Sequence, residues 1–305
     1  MAYPNAAGSP SYSGTFIPEI WSSKLIEKFY DATVLAAISN TNYEGEIKGQ
    51  GDKVKIRTIP SLEINDYKSG QTLVNQRPES SNVELLIDQG KYWSAIVDDV
   101  QVVQSDIGLM NMWASDASEQ MKIAIDRSVL GGIAPDVAAA NKGATAGKVS
   151  GGYSLGVTGT PIQLSKTTIL EYIVDLGSVL DEQNVPEAGR FLLLPFWAVN
   201  LLKKSDLKDA SLTGDSTSVM RNGRIGMIDR FTAYTSNNLP RVTDGANQCY
   251  DILAGHKNGL TFASQLVKTE TLRAESTFGN IMRGLQVFGY KVIDGSMLAR
   301  GYVYK

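Results

Sequence analysis

Ser154 lies in Gly152-Tyr153-Ser154-Leu155-Gly156, the spacing of a nucleophile elbow, and Asp251 and His256 follow in the chain order of an α/β-hydrolase triad. That chemistry needs the serine on a sharp turn between a strand and a helix, facing backbone amides that hold an oxyanion. Here Lys148-Val149-Ser150-Gly151 precedes the motif and Val157-Thr158-Gly159-Thr160-Pro161 follows it, too short and glycine-rich for either element. A serine between two glycines is cheap in such a stretch, so a serine hydrolase using Ser154 ranks below coincidence. Just upstream, Gly143-Ala144-Thr145-Ala146-Gly147-Lys148-Val149 looks like a phosphate-binding loop. That loop needs four residues between its glycines and a hydroxyl after the lysine to hold magnesium. Three residues and a valine occupy those places, which fits a linker better.

The other reactive types read as structure. His256 sits in Gly255-His256-Lys257-Asn258-Gly259, the look of a hairpin turn, and Cys249 before Ile252 and Leu253 reads as a small core residue. Asp98 and Asp99 stand where a strand gives way to a helix, and capping explains them. One cysteine excludes an intrachain disulfide and a cysteine metal cluster, and one histidine makes a histidine metal site implausible. No enzyme activity, cofactor or metal is expected. The chain has 305 residues, 43% hydrophobic and 20% charged, the balance of a soluble globular protein with one large core or two modest ones. A net charge of −3 argues against a dedicated nucleic-acid surface, which would carry a basic stripe. No signal peptide and no membrane-spanning run is read in it.

Chemistry thus gives way to architecture. Over 52–59, Val54, Ile56 and Thr58 alternate with Lys53, Lys55 and Arg57, the period of a strand with two unlike faces. A second strand from Val83 alternates Val83, Leu85 and Ile87 with Glu84, Leu86 and Asp88. Antiparallel pairing with Arg57 opposite Glu84 and Lys53 opposite Asp88 would add about 0.2–1 kcal/mol per pair. Between them, 60–82 is a polar excursion that at ~3.3 Å per residue reaches some ~35 Å from its base. With few apolar residues to fold back on its own domain, its natural partner is another molecule. One long helix follows, with Val103, Ile107, Met110, Ala114, Ala117, Met121 and Ala124 as a narrow seam and Gly131-Gly132 and Pro135 as its end. About thirty residues make a rod of about 45 Å.

The first fourteen residues read as a mobile terminus before a short amphipathic helix carrying Ile17, Ile20, Trp21, Leu25 and Phe29. Beyond a glycine- and alanine-rich connection, Ser165 caps a helix through Ile169, Ile173, Leu176 and Leu180. Residues 191–194 read as a buried strand, and Pro195 opens a helix ending in Lys203 and Lys204. Residues 208–221 are a polar loop, and 224–234 are strands turned by glycine. Strands at 285–292 and 297–304 are joined through Asp294-Gly295, a hairpin signal.

In this order the α+β elements resemble the major capsid protein of tailed bacteriophages, the Hong Kong phage-type fold. Local stretches carry the likeness too: Phe16-Ile17-Pro18-Glu19-Ile20-Trp21-Ser22, Gly51-Asp52-Lys53-Val54-Lys55-Ile56, Gly223-Arg224-Ile225-Gly226 before Phe231-Thr232-Ala233-Tyr234, and Met297-Leu298-Ala299-Arg300-Gly301-Tyr302. The resemblance implies an N-terminal arm and helix (1–45), an extended-loop hairpin (46–98), a spine helix (99–135), an A domain (136–262) and C-terminal strands of a P domain (263–305). It implies a shell protein that assembles with itself into hexamers and pentamers around double-stranded DNA. Scaffolding, portal and decoration proteins are its further partners, and the host bacterial cytoplasm its place of assembly. Loop residues Tyr67, Lys68, Arg77 and Glu79 and arm residues Phe16, Trp21 and Phe29 would then touch neighbouring subunits. Lys68 and Asn280 have the residue types that some family members cross-link. An encapsulin-like compartment shell is the alternative with the same fold.

Overall fold

The structure is a computed structural model that describes residues 31, 33–43, 53–57, 60, 62–73, 75–78, 82–99, 109–205, 226–275 and 277–305. A one-turn helix, α1 (Leu35–Ile38), precedes a two-stranded antiparallel ribbon of β1 (Lys53–Arg57) and β2 (Asn82–Leu86). Next come β3 (Gln89–Asp98) and the long helix α2 (Leu109–Ile133). They are followed by β4 (Ile162–Gln163), α3 (Ile169–Glu182), β5 (Arg190–Leu194) and α4 (Phe196–Lys204). The rest is strand: β6 (Met227–Ile228), β7 (Phe231–Thr235), β8 (Arg241–Asp244), β9 (Asn247–His256), β10 (Leu260–Arg273), β11 (Gly279–Val292) and β12 (Leu298–Tyr304).

Two larger sheets organise the chain. A seven-stranded mixed sheet runs β4-β12-β9-β5-β7-β6, with β8 on β9, and a three-stranded antiparallel sheet runs β10-β11-β3. The expected buried strand is β5, and every residue of it is buried. Leu192 and Leu194 pack with Ile173, Leu176 and Leu180 of α3 on one face, while Phe191 and Leu193 pack with Val129, Leu130 and Ile133 of α2 on the other. A strand covered on both faces reads as a continuous apolar run, which is why its sequence lacks alternation. Helices α3 and α4 lie where periodicity and Pro195 put them, and Cys249 is buried in β9.

Several expectations change. The ribbon pairs Lys55 with Glu84, Arg57 with Asn82 and Lys53 with Leu86, two residues from the expected register. A shift of two keeps every side chain on its face, so hydrophobic patterning cannot separate the registers. Packing decides: Ile56 and Leu85 bury against Ala263. Glu84 then lies 3.6 Å from both Lys53 and Lys55, while Asp88 falls beyond the ladder. Strand β3 reaches Asp98, where a strand was expected to end, but it is separate from the ribbon and pairs with β11 from Gln89–Phe288 to Asp98–Gly279. Asp98 is its last residue, and Asp99 is held by Arg273 of β10. Where the N-terminal cap of the long helix falls lies outside the described residues, as do Val103 and Ile107 of its seam.

The described part of α2 buries Ile123, Ile125, Val129, Leu130 and Ile133, and leaves Ala124 exposed. The larger side chains fix the packed face, and the alanine–methionine seam does not persist to its end. Nor do the glycines stop the helix. A Cβ on Gly132 would sit 1.7 Å from the Tyr290 hydroxyl, so the residue is small because β11 crosses there.

Neither C-terminal hairpin signal closes a hairpin. β11 belongs to the small sheet and β12 to the large one, and Asp294 caps a 3₁₀ turn between them by accepting from Ser296 N at 2.9 Å. His256 likewise ends β9 before a 3₁₀ turn into β10, again in the other sheet. The β6–β7 turn is made by Asp229 and Arg230, both with positive φ, rather than by glycine. Arg230 is held there by Asp181 and Glu187 at 2.8 and 2.9 Å.

Candidate self-association surface

Of the suspected reactive residues, Asp251 and His256 are engaged by other groups. Ser154 is exposed in a loop, in which Ala146 bridges Tyr153. Asp251 is buried and accepts from Arg300 Nε at 2.7 Å. Burial pushes its carboxyl up and Arg300 opposes that shift. His256 Nε2 lies 3.0 Å from the Ala188 carbonyl, and its Nδ1 accepts from Asn258 N. Both ring nitrogens thus serve backbone, and no hydrogen bond links the three residues into a triad. The glycine loop holds no phosphate cradle either. The amides of Val149 and Ser150 donate to the Glu182 carboxylate at 2.7 and 3.1 Å, and the Ser150 hydroxyl, followed by these two amides, lowers its pKa. Among the described residues, no three His, Cys, Asp or Glu side chains come together as a metal site.

The long excursion is a built arm. At its base, Ile56 and Leu85 form a small cluster with Ala263, and Val54, Val83 and Ile87 pack around it. Gly289 lets the crossing occur: a Cβ there would lie 1.9 Å from the Leu86 carbonyl oxygen. Farther out, Gln76 stands in for a strand partner. Its Oε1 accepts from Glu63 N at 3.0 Å and its Nε2 donates to Glu63 O at 2.9 Å. The tip turns where Gln71 N donates to Lys68 O, through Gly70 at φ 83°.

Tyr67, Lys68 and Arg77 are all exposed on this arm, as a contact role requires. Glu79, Phe16, Trp21 and Phe29 lie outside the described residues. What sequence reading missed is the arm's apolar content. Besides Tyr67, the aliphatic Leu62, Ile64 and Leu73 are exposed, Ile64 at 94%. The names were visible in the sequence, but the density of Ser, Asn and charge around them masked them.

A second exposed surface lies on the small sheet. Along β3, Tyr92, Ser94, Ile96 and Asp98 face out in strict alternation. The register sets Tyr92 beside Leu285 and Leu285 beside Lys268, and sets Ser94 beside Arg283 and Arg283 beside Glu270. The alternation of Tyr92, Ser94 and Ile96 was the available signal, lost because 89–98 was read as part of the extended-loop hairpin (46–98).

An arm rooted in a small buried cluster, with exposed apolar groups on both arm and body, is the construction of a structural protein completed by copies of itself. No curated protein matches the chain, but residues 84–303 match the family model for phage capsid protein. The chain belongs to the phage capsid protein family, as a major capsid protein that forms the viral shell. It is similar to a solved structure from Mycobacterium phage Che8, 26% identical, with a TM-score of 0.77 over 93% of this chain and 96% of that one. The capsid of cyanophage P-SCSP1u shares the fold at 14% identity, covering 94% of this chain and 93% of that one with a TM-score of 0.68. So does the capsid of a native GTA particle, at 13% identity and a TM-score of 0.68 over 96% and 97%.

Proposed function

We propose that this chain closes into an icosahedral shell of hexamers and pentamers around double-stranded DNA, each copy laying its 60–82 arm over a neighbour. The carrying observation is the arm itself, rooted at its base in a small buried cluster and lined with exposed Leu62, Ile64, Tyr67 and Leu73. A soluble subunit gains nothing from exposing such groups, and burial against another copy recovers about 25 cal/mol per Å². DNA is held by enclosure, because a chain of net charge −3 offers no basic stripe for sequence-specific binding. Assembly in the host cytoplasm with scaffolding, portal and decoration proteins, and the lack of enzyme activity, complete this reading.

Electron microscopy of the purified chain tests it. Closed shells are expected, with DNA inside particles taken from infected cells. A chain that stays monomeric at every concentration would overturn the proposal, and native particles filled with an enzyme in place of DNA would make it a compartment shell.

A further inference from the structure

The large sheet opens into a cavity at the carboxyl ends of two parallel strands. β5 and β7 pair as far as Leu194 and Thr235, and Ser236 N still donates to Leu194 O at 3.1 Å. Beyond that bond the connections part, Pro195 leading into α4 and residues 236–240 into β8. Open α/β sheets take their ligands in this place, outside strand ends where neighbouring connections diverge. The space left between them is about 520 Å³, within the range of small-molecule sites.

Its lining is cationic and aromatic. Arg127 and Arg241 both border it, with Phe196, Trp197 and Tyr250, and among the described residues no carboxylate does. Arg127 donates from Nε to Asn238 at 3.1 Å and from Nη2 to Asp31 at 2.7 Å, which fixes its guanidinium beside the cavity. Arg241 is exposed, and no described carboxylate pairs with it. Trp197 leans on Tyr250 with ring centroids 5.7 Å apart, and its buried indole N–H has no acceptor among the described residues. A buried donor left unpaired is costly, and a bound acceptor would remove that cost. Helix α4 also starts at this wall without a side-chain cap, which adds to the pull on an anion.

We propose that this cavity binds a nucleotide, its phosphate at Arg127 and Arg241 and its base against Trp197 and Tyr250. Guanidinium forks match phosphate oxygens, and aromatic faces accept any base. The site lies within one subunit, so it does not rest on the shell reading. A free nucleotide and a DNA strand carry the same group, and the test separates them.

Calorimetric titration of the full chain, as purified, with deoxyadenosine monophosphate tests the proposal. One site per chain is expected. Arg241→Ala should weaken binding about tenfold or more and leave the melting temperature unchanged, because that side chain is exposed. Deoxyadenosine and inorganic phosphate should each bind at least about tenfold more weakly than the whole nucleotide. The Trp197 indole N–H resonance, identified by its loss in Trp197→Phe, should shift on binding. A single-stranded oligodeoxynucleotide that displaces the nucleotide assigns the site to DNA, and one that does not assigns it to free nucleotides. No binding at about 1 mM nucleotide, equal binding by Arg241→Ala, or inorganic phosphate held as tightly as the nucleotide overturns the inference. None of these results touches the shell reading.

Discussion

The two main sheets are finished differently. In the seven-stranded sheet β5 is buried at every residue, and its two faces feed two separate clusters of the subunit's own side chains. In the three-stranded sheet β3 alternates, and its outward row holds the exposed Tyr92 and Ile96. The large-sheet side also exposes Phe196, Met227 and Val242, but each stands on a different element, the scatter any surface carries. One region is closed by the subunit's own side chains, and the other keeps large apolar side chains exposed. Substitutions should divide accordingly, into those that unfold the chain and those that only keep folded chains apart.

The largest effect should come from the closed region. Phe191→Ala empties a site that is 2% exposed, between β5 and α2, and should cost about 3–5 kcal/mol. Chemical denaturation of the unassembled subunit would measure it. A loss under about 1 kcal/mol would mean that β5 is not the central strand of the fold.

Next comes Asp126 on α2, which joins the two regions. Its Oδ1 accepts from Val34 and Leu35 N at 3.2 and 3.0 Å, and its Oδ2 accepts from Asn238 at 2.8 Å. Asp126→Ala takes the acceptor from two buried amides and should cost about 1–3 kcal/mol for each group stranded. Burial raises the Asp126 carboxyl above its ordinary value, against the pull of Asn238, the two amides and Arg127. A raised folded-state value means this group's contribution is complete at low pH and is lost as pH climbs through that value. The stability of the native chain relative to Asp126→Asn should accordingly fall across that window and level off above it. A difference that grows with pH would contradict the assignment.

How much of this was legible follows from how far each signal reaches. β5, α3 and α4 were legible because apolar runs, 3.6-residue periodicity and Pro195 are local. The strands at 285–292 and 297–304 were recognised, yet their partners were not. Asp294-Gly295 looks like a hairpin turn, but β11 and β12 find different sheets through contacts with β3 and β9 far away in sequence. The ribbon register failed for a related reason. Two registers of equal parity keep the same faces and each offers ion pairs, so packing against Ala263, which lies about two hundred residues from β1, separates them. The arm was legible as a long polar run. Its exposed apolar side chains were not, since exposure depends on what remains uncovered after folding.

The third experiment tests the open region. Replacing residues 62–79 with an Asn-Gly turn removes no described member of the three buried clusters. Subunit stability should stay within about 0.5 kcal/mol, while closed shells disappear from electron micrographs. Elevated salt should weaken assembly of the unmodified chain in the same direction, because exposed charges are screened. Normal shells from the shortened chain would erase the distinction between the regions.

The smallest effect belongs to the root of the arm, where the two kinds of surface meet. Glu84 reaches Lys53 and Lys55 at 3.6 Å, with all three side chains over two-fifths exposed. Exposed pairs of this kind are worth about 0–1 kcal/mol. Glu84→Gln should therefore lower stability by only a few tenths of a kcal/mol, and the difference should vanish in roughly 1 M salt, where the screening length is near 3 Å. Leu85→Ala, on the adjacent position but fully buried, should cost about 2–5 kcal/mol regardless of salt. If packing sets the ribbon register, cross-strand contacts measured by nuclear magnetic resonance should keep Lys55 opposite Glu84's position in Glu84→Gln. A ribbon that slides when only the charge is removed would show that the ion pairs, and not Ile56 and Leu85, hold the arm in place.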